Sequence, residues 1–205
     1  MVTVHHLNLS RSTRVLWLLE EIGAPYRIVT HVREPGFRAP ASLRAVHPLG
    51  KAPVIEDEGL VIAESAVILD YIDGRYAGGR FTPDEPENRI RHAEMMQVAE
   101  TALGASLTVN FYGQLTGGLT GTFASIIARD TDAALAHVET RIAGAYLMGD
   151  GLTLADLQLA YPLAVARYLG FLHDYPRSAD YLARLEEREA LRRAIAAGGP
   201  MTPPA

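Results

Sequence analysis

A chain of 205 residues, 48% of them hydrophobic and 21% charged, with 18 Gly and 12 Pro that follow no period, is long enough to bury one large core or two smaller ones and excludes fibrous and disordered classes. The net charge is −5, and apart from Lys51 every basic residue is Arg; none gathers into a basic stripe, which speaks against nucleic-acid binding. Cysteine is absent, so disulfides, cysteine metal sites and a protein thiol nucleophile are excluded, and any thiol chemistry must use a sulfur that a ligand supplies.

Val2 to Leu7 reads as a strand. After the polar stretch Asn8 to Thr13, the residues Val15, Leu16, Leu18, Leu19 and Ile22 follow helical spacing up to Gly23, a natural stop. Tyr26, Ile28, Thr30 and Val32 share one face of a second strand, which completes a βαβ unit. Val54 to Glu56 and Leu60 to Ala63, separated by Asp57-Glu58-Gly59, predict an antiparallel hairpin, and Ser65 opens a helix carrying Val67, Ile68, Leu69, Tyr71 and Ile72. The order βαβ then ββα predicts a mixed four-stranded sheet flanked by helices over residues 1–76. The Gly/Pro-rich segment 77–86 predicts a linker. Helical periods then dominate to about residue 197, ahead of the Pro-bearing tail Gly198 to Ala205, with stops near Gly113 to Gly121, Gly149 to Gly151 and His173 to Pro176, so the second domain, residues 87–205, is expected to be all-α. Thr153-Leu154-Ala155-Asp156 reads as a capping box, and Pro162 predicts a kink. Val2 to Leu9 is broken by His5, His6 and Asn8, and no apolar run approaches the ~20 residues of a membrane span. The expectation is a cytoplasmic chain with no membrane partner.

Three short motifs can carry chemistry. Ser10 and Ser12 stand at the turn before the first helix, where a hydroxyl either caps the helix or donates to an anion held at its N-terminus. In His47-Pro48-Leu49-Gly50-Lys51-Ala52-Pro53 a proline immediately precedes a strand. A cis Ala52–Pro53 bond would turn the Ala52 backbone groups outward, open to an extended peptide; a trans proline ending a loop is the other reading. Glu64-Ser65 begins a helix. Ser65 is there either an N-cap or, with the first helical N–H groups, a carboxylate site beside the Glu64 anion, a pairing suited to an α-amino acid head group. His5 and His6 point to opposite faces of a strand and have no HExxH pattern beside them, so no metal is expected.

In this order, with SRSTRVLWLLEEIGAPY, HPLGKAPVI and AESAVILDYI followed by a helical half containing TLADLQLA, the chain resembles the cytosolic glutathione transferase superfamily over essentially its whole length. The resemblance implies a thioredoxin-like α/β first domain and glutathione as co-substrate, with no metal. It implies that Ala52 pairs with the cysteinyl unit beside cis-Pro53, that Glu64 and Ser65 hold the γ-glutamyl end, and that Lys51 lies near the glycyl carboxylate, with Arg38 as a further candidate there. Members activate the thiol with a Tyr, Ser or Cys near the first βα turn. Here the first Tyr is Tyr26 and Cys is absent, which leaves serine. Ser10 matches the similar SRxxRxLWLL subgroup and is preferred to Ser12; in several other serine classes the register would place the hydroxyl at Leu9, so a backbone amide or Arg11 is expected to share the thiolate. Phe111 and Tyr112, ahead of the Gly-rich run to Gly121, are candidates for an apolar electrophile wall between the domains, and similar proteins are homodimers.

The expected activity is conjugation of the glutathione thiolate to small hydrophobic electrophiles. A glutathione-dependent peroxidase, isomerase or dehalogenase is the enzymatic alternative, and a non-catalytic glutathione-binding or interaction protein the other. Ionising a thiol of pKa about 8.5 at neutral pH takes a shift of about two units, roughly 2.7 kcal/mol. One hydrogen bond to a charged group supplies about 1.5–3 kcal/mol, and a helix N-terminus up to about 1.

Overall fold

A computed structural model describes residues 1–142 and 144–203; Ala143 and the last two residues of the expected helical domain lie outside the described residues. Val2–Leu7 forms β1, buried along its whole length. Thr13–Ile22 forms α1, closed by Gly23 in the left-handed conformation that glycine adopts without strain, with its N–H bonded to Leu19 O. Tyr26–His31 forms β2, parallel to β1, as a helical crossover requires. Val54–Asp57 (β3) pairs antiparallel with β1 and with Leu60–Ala63 (β4), giving the sheet order β2-β1-β3-β4. The mixed four-stranded sheet and the hairpin expected from the sequence are present. A short helix, Ala41–Val46 (α2), buries only Leu43; six residues with one buried apolar side chain leave no periodic trace. Ser65–Ile72 (α3) follows β4 and continues into a wide turn over 73–77.

The remaining helices are Pro86–Val98 (α4), Ala105–Leu115 (α5), Gly121–Arg141 (α6), Leu154–Tyr168 (α7), Pro176–Glu186 (α8) and Glu189–Gly198 (α9). The chain divides into two compact units: residues 1–81 with those from Glu186 onward, and residues 82–185. Helix α9, expected within the helical segment 87–205, packs on α1. Helical periodicity shows that a face must be buried and leaves open against what.

In the first unit, Val15, Leu16, Trp17, Leu18 and Leu19 of α1 are buried, each stabilising by about 1.5–3 kcal/mol. Polar ties hold α9 to the same helix. Arg188 donates to both carboxylate oxygens of Glu21 (2.6 and 2.8 Å), which also accepts from Trp17 Nε1 (2.8 Å), while Arg193 Nε reaches Glu20 (2.7 Å). Burial alone would raise the Glu21 pKa, but Arg188 and Trp17 outweigh it and hold the carboxyl below its ordinary value.

In the second unit, α7 is buried on nearly all sides, as a central helix must be. The expected capping box is formed: Thr153 N and Oγ1 both donate to Asp156 Oδ2 at 2.7 Å, while the other Asp156 oxygen accepts from Leu147 N (2.8 Å) and Tyr181 Oη. Pro162 lies inside α7. No helix among the described residues is long and apolar enough to cross a membrane.

Candidate functional site

Strand register brings the three motifs together. His5 is opposite Val54, and Val54 is opposite Ala63, so the C-terminal end of β1, Ala52–Pro53 before β3 and Glu64 after β4 share one margin of the sheet. From β1 to β4 is two strand spacings, about 9–10 Å, which an extended tripeptide of about 10 Å can cross. Ala52–Pro53 is cis. The amide and carbonyl of half-buried Ala52 have no protein partner among the described residues, whereas Pro53 is buried. Lys51, next to them, is exposed.

The turn from Leu7 into α1 is built by its serines. Ser10 Oγ lies 2.7 Å from both Leu7 O and Ser12 Oγ and accepts from Ser12 N at 3.2 Å. Ser12 Oγ accepts from Leu7 N (3.2 Å) and lies 2.8 Å from His6 Nδ1. His6 Nε2 lies 2.7 Å from Gly198 O. A carbonyl can only accept, so Nε2 carries the ring proton; burial pushes the His6 pKa down and keeps the ring neutral, which leaves Nδ1 as an acceptor. The network thus commits the Ser12 hydroxyl proton to His6. Ser10 donates to either of two acceptors within the turn and is 4% exposed, against 0% for Ser12. Capping was one reading of each serine, but although Ser12 occupies the cap position, neither hydroxyl bonds the helical N–H groups. Leu9 stands at the tip of the turn with φ 53°, half-buried. The amides of Leu9 and Ser10 have no protein partner among the described residues.

At the start of α3, Glu64 takes the cap position with φ 70° and is exposed, while Ser65 is the first helical residue and is buried. This corrects the reading of Ser65 as N-cap: its hydroxyl instead accepts from Arg14 Nη1 at 3.0 Å. A positive φ on a residue with a side chain is sparsely populated, and such strain clusters at ligand sites. Arg14, 1% exposed, brings a guanidinium charge from α1 to the same place. Arg38 is an exposed loop residue whose carbonyl accepts from Glu34 N at 2.9 Å. In the helical unit, Phe111 packs edge-on against Tyr112 (5.9 Å between centroids) and near Tyr168 (6.0 Å), and Tyr112 is 47% exposed.

Three residues beyond the motifs shape this margin. Arg14 sits within an apolar helical stripe and is itself buried. Arg33 donates to Asn8 O (3.1 Å), Leu9 O (3.0 Å) and Phe37 O (2.7 Å), fastening the turn to the 33–40 loop. His6 alternates with His5, as a strand dictates. On the opposite face His5 bonds Glu56 (2.9 Å) and His31 (3.2 Å), and His31 bonds Ser42 (2.9 Å).

Two family models match the chain: the glutathione S-transferase N-terminal domain over residues 10–75 and the C-terminal domain over residues 124–184. Glutathione S-transferase 3 of Schizosaccharomyces pombe is 31% identical over 183 residues, covering 82% of this chain and 75% of that protein. The crystal structure of a glutathione S-transferase from Actinobacillus pleuropneumoniae superposes with a TM-score of 0.88 at 32% identity, covering 97% of this chain and 93% of the other. A glutathione transferase homologue from Sulfitobacter, solved with bound glutathione, shares the fold with a TM-score of 0.81 at 18% identity, over 98% of this chain and 99% of that one. The chain belongs to the glutathione S-transferase family.

Proposed function

We propose that the chain binds glutathione across the shared sheet margin and adds its thiolate to small hydrophobic electrophiles, with Ser10 as the hydroxyl that stabilises the thiolate. The observation that carries this reading is the register, which sets the open backbone of Ala52 between the Leu7–Ser12 turn and the start of α3. A tripeptide laid there offers its cysteinyl backbone to Ala52. Its γ-glutamyl carboxylate meets the Ser65 hydroxyl and the Arg14 charge, and its ammonium meets Glu64. Lys51, with Arg38 as a second cation, faces the glycyl carboxylate, an exposed pairing worth about 0–1 kcal/mol.

Support for Ser10 over Ser12 is the direction of the protons. Ser12 gives its proton to His6. Ser10 can exchange a neutral bond to Leu7 O for one to a thiolate, and the open amides of Leu9 and Ser10 add donors at the α1 tip. The fixed positions of thiolate and electrophile supply the remaining rate enhancement. Within the helical unit, Phe111 and Tyr112, the residues expected to form an electrophile wall, stand edge to face. A groove of about 590 Å³ lined by Val98, Ala102, Ala105, Val109, Ile127 and Ala134, with Phe123 and Ile126 exposed on the same helix as Ile127, supports a homodimer.

Calorimetry with millimolar glutathione and a conjugation assay with an activated aryl chloride test the reading. Saturable heat and a glutathione-dependent rate are expected, and absence of heat overturns it. Sedimentation of a 22.3 kDa species would overturn the dimer.

A further inference from the structure

The His6 ring joins the last helix of the first unit to the thiol turn. Its Nε2 donates to Gly198 O at 2.7 Å, and its Nδ1 accepts from Ser12 Oγ at 2.8 Å. Gly198 ends α9 and lies against this ring. A Cβ built there would stand 2.8 Å from His6 Cε1, 3.0 Å from His6 Nε2 and 2.6 Å from Leu16 Cδ1. Any side chain at 198 therefore displaces the imidazole or the α1 core. On its other side, the Ser12 hydroxyl accepts from Leu7 N and touches Ser10 Oγ. One proton direction runs through the whole chain of groups: from Nε2 to the α9 carbonyl, and from Ser12 into Nδ1.

We infer that His6 is a positioning residue for thiolate formation: held by the α9 terminus, it absorbs the Ser12 proton and thereby leaves the Ser10 proton as the one the turn can release. Without the Nδ1 acceptor, the Ser12 hydroxyl turns to Leu7 O, already 3.2 Å away. Ser10 and Ser12 then both donate to the same carbonyl, and the bonds that place Ser10 at the α1 tip are redistributed. The carboxylate-binding half of the margin is tied through a different hydrogen bond, Arg14 Nη1 to Ser65 Oγ at 3.0 Å. Glutathione affinity should therefore be spared while turnover falls.

The inference rests on the conjugation reading, and wild-type protein separates the two failures. A wild type inert toward electrophiles sinks that reading, whereas a conjugating wild type with an unaffected His6→Phe variant sinks this one alone. In the full-length protein, ¹⁵N resonances should show His6 protonated at Nε2 and bare at Nδ1, with a slowly exchanging Ser12 hydroxyl proton. Gly198→Ala should remove that hydroxyl signal; its persistence overturns the coupling. His6→Phe is expected to lower kcat about tenfold with KM for glutathione changed less than about twofold, the signature of an interaction lost in the transition state. His6→Asn keeps an acceptor at the Nδ1 position and His6→Gln keeps only a donor at the Nε2 position. Both weaken packing, so a purely structural His6 would make them alike. The inference requires Asn to retain kcat within about threefold and Gln to fall with Phe; equal kcat in Asn and Gln overturns it.

Discussion

Replacing Ser10 and Ser12 one at a time should split chemistry from stability. A hydrogen bond to a charged sulfur is worth about 1.5–3 kcal/mol, and a neutral one about 0.5–1.5. Ser10 must leave Leu7 O, 2.7 Å away, to reach the thiolate, so the net gain is about 1–1.5 kcal/mol, close to one pKa unit. The second unit needed for ionisation at neutral pH falls to the Leu9 and Ser10 amides and the α1 macrodipole. Ser10→Ala should therefore move the thiolate limb of the pH–rate profile up by about one unit and lower the rate at neutral pH about tenfold, with recovery at alkaline pH. Ser12→Ala removes a buried hydroxyl that satisfies both Leu7 N and His6 Nδ1. Leaving two buried groups unmatched costs about 2–4 kcal/mol, visible as a lower urea midpoint. Stopped-flow conjugation across pH and equilibrium unfolding read the two effects. A shifted pH limb in Ser12→Ala with none in Ser10→Ala refutes the proton directions argued above.

At the glutamyl end of the proposed binding mode, Ser65→Ala should raise the glutathione Kd about tenfold with little change in kcat, because that mode puts the hydroxyl away from the reacting sulfur; calorimetry showing equal Kd refutes the assignment. At the α1–α9 junction, Glu21→Gln should destabilise by about 2 kcal/mol, since it strips the charge from a partly buried pair with Arg188 and leaves a guanidinium facing a neutral amide; unchanged unfolding refutes it. Burial, with the mutual repulsion of imidazolium charges, pushes the His6 and His31 pKa values below 6.5. A depressed imidazole pKa means that the unfolded chain binds more protons, so their contribution is present above pH 6.5 and is lost as pH falls below it. Glu21 and Asp57 are instead held below ordinary carboxylate values and lose their contribution only in stronger acid. Urea unfolding between pH 7 and 5 should show a falling stability, and His6→Asn should flatten that fall; an unaltered slope refutes it.

What was legible in the sequence was whatever a local pattern decides. The β1 run, the Gly23 stop, the hairpin around Gly59 and the Thr153–Asp156 capping box each depend on neighbours within a few residues, and all are present. α2 escaped because one buried leucine makes no period. The packing of α9 on α1 was not legible because an apolar stripe does not name its partner, and the Glu21–Arg188 tie that does spans 167 positions. At the site, residue types were readable and bonding directions were not. Ser12 has the sequence signature of a cap, yet its partners are a strand histidine and a strand amide. Arg14 is one charge among apolar residues until Ser65, 51 positions away, meets it.

The two adjacent histidines show how one strand serves both sides of a site. Alternation sends His5 toward Glu56 and toward His31, which in turn bonds Ser42 of α2, and sends His6 toward Ser12 and the end of α9. The end of β1 is therefore fixed from both faces before the chain turns into α1, while Arg33 fastens the turn itself through Leu9 O. A thiolate-binding set of donors assembled from backbone amides and one short hydroxyl has little intrinsic rigidity. Its worth depends on donors already standing where charge develops, since donors that must be ordered during the reaction give back much of what they stabilise. In a chain without cysteine, the proposed chemistry draws its sulfur from the ligand and asks of the protein a turn stiff enough to meet it.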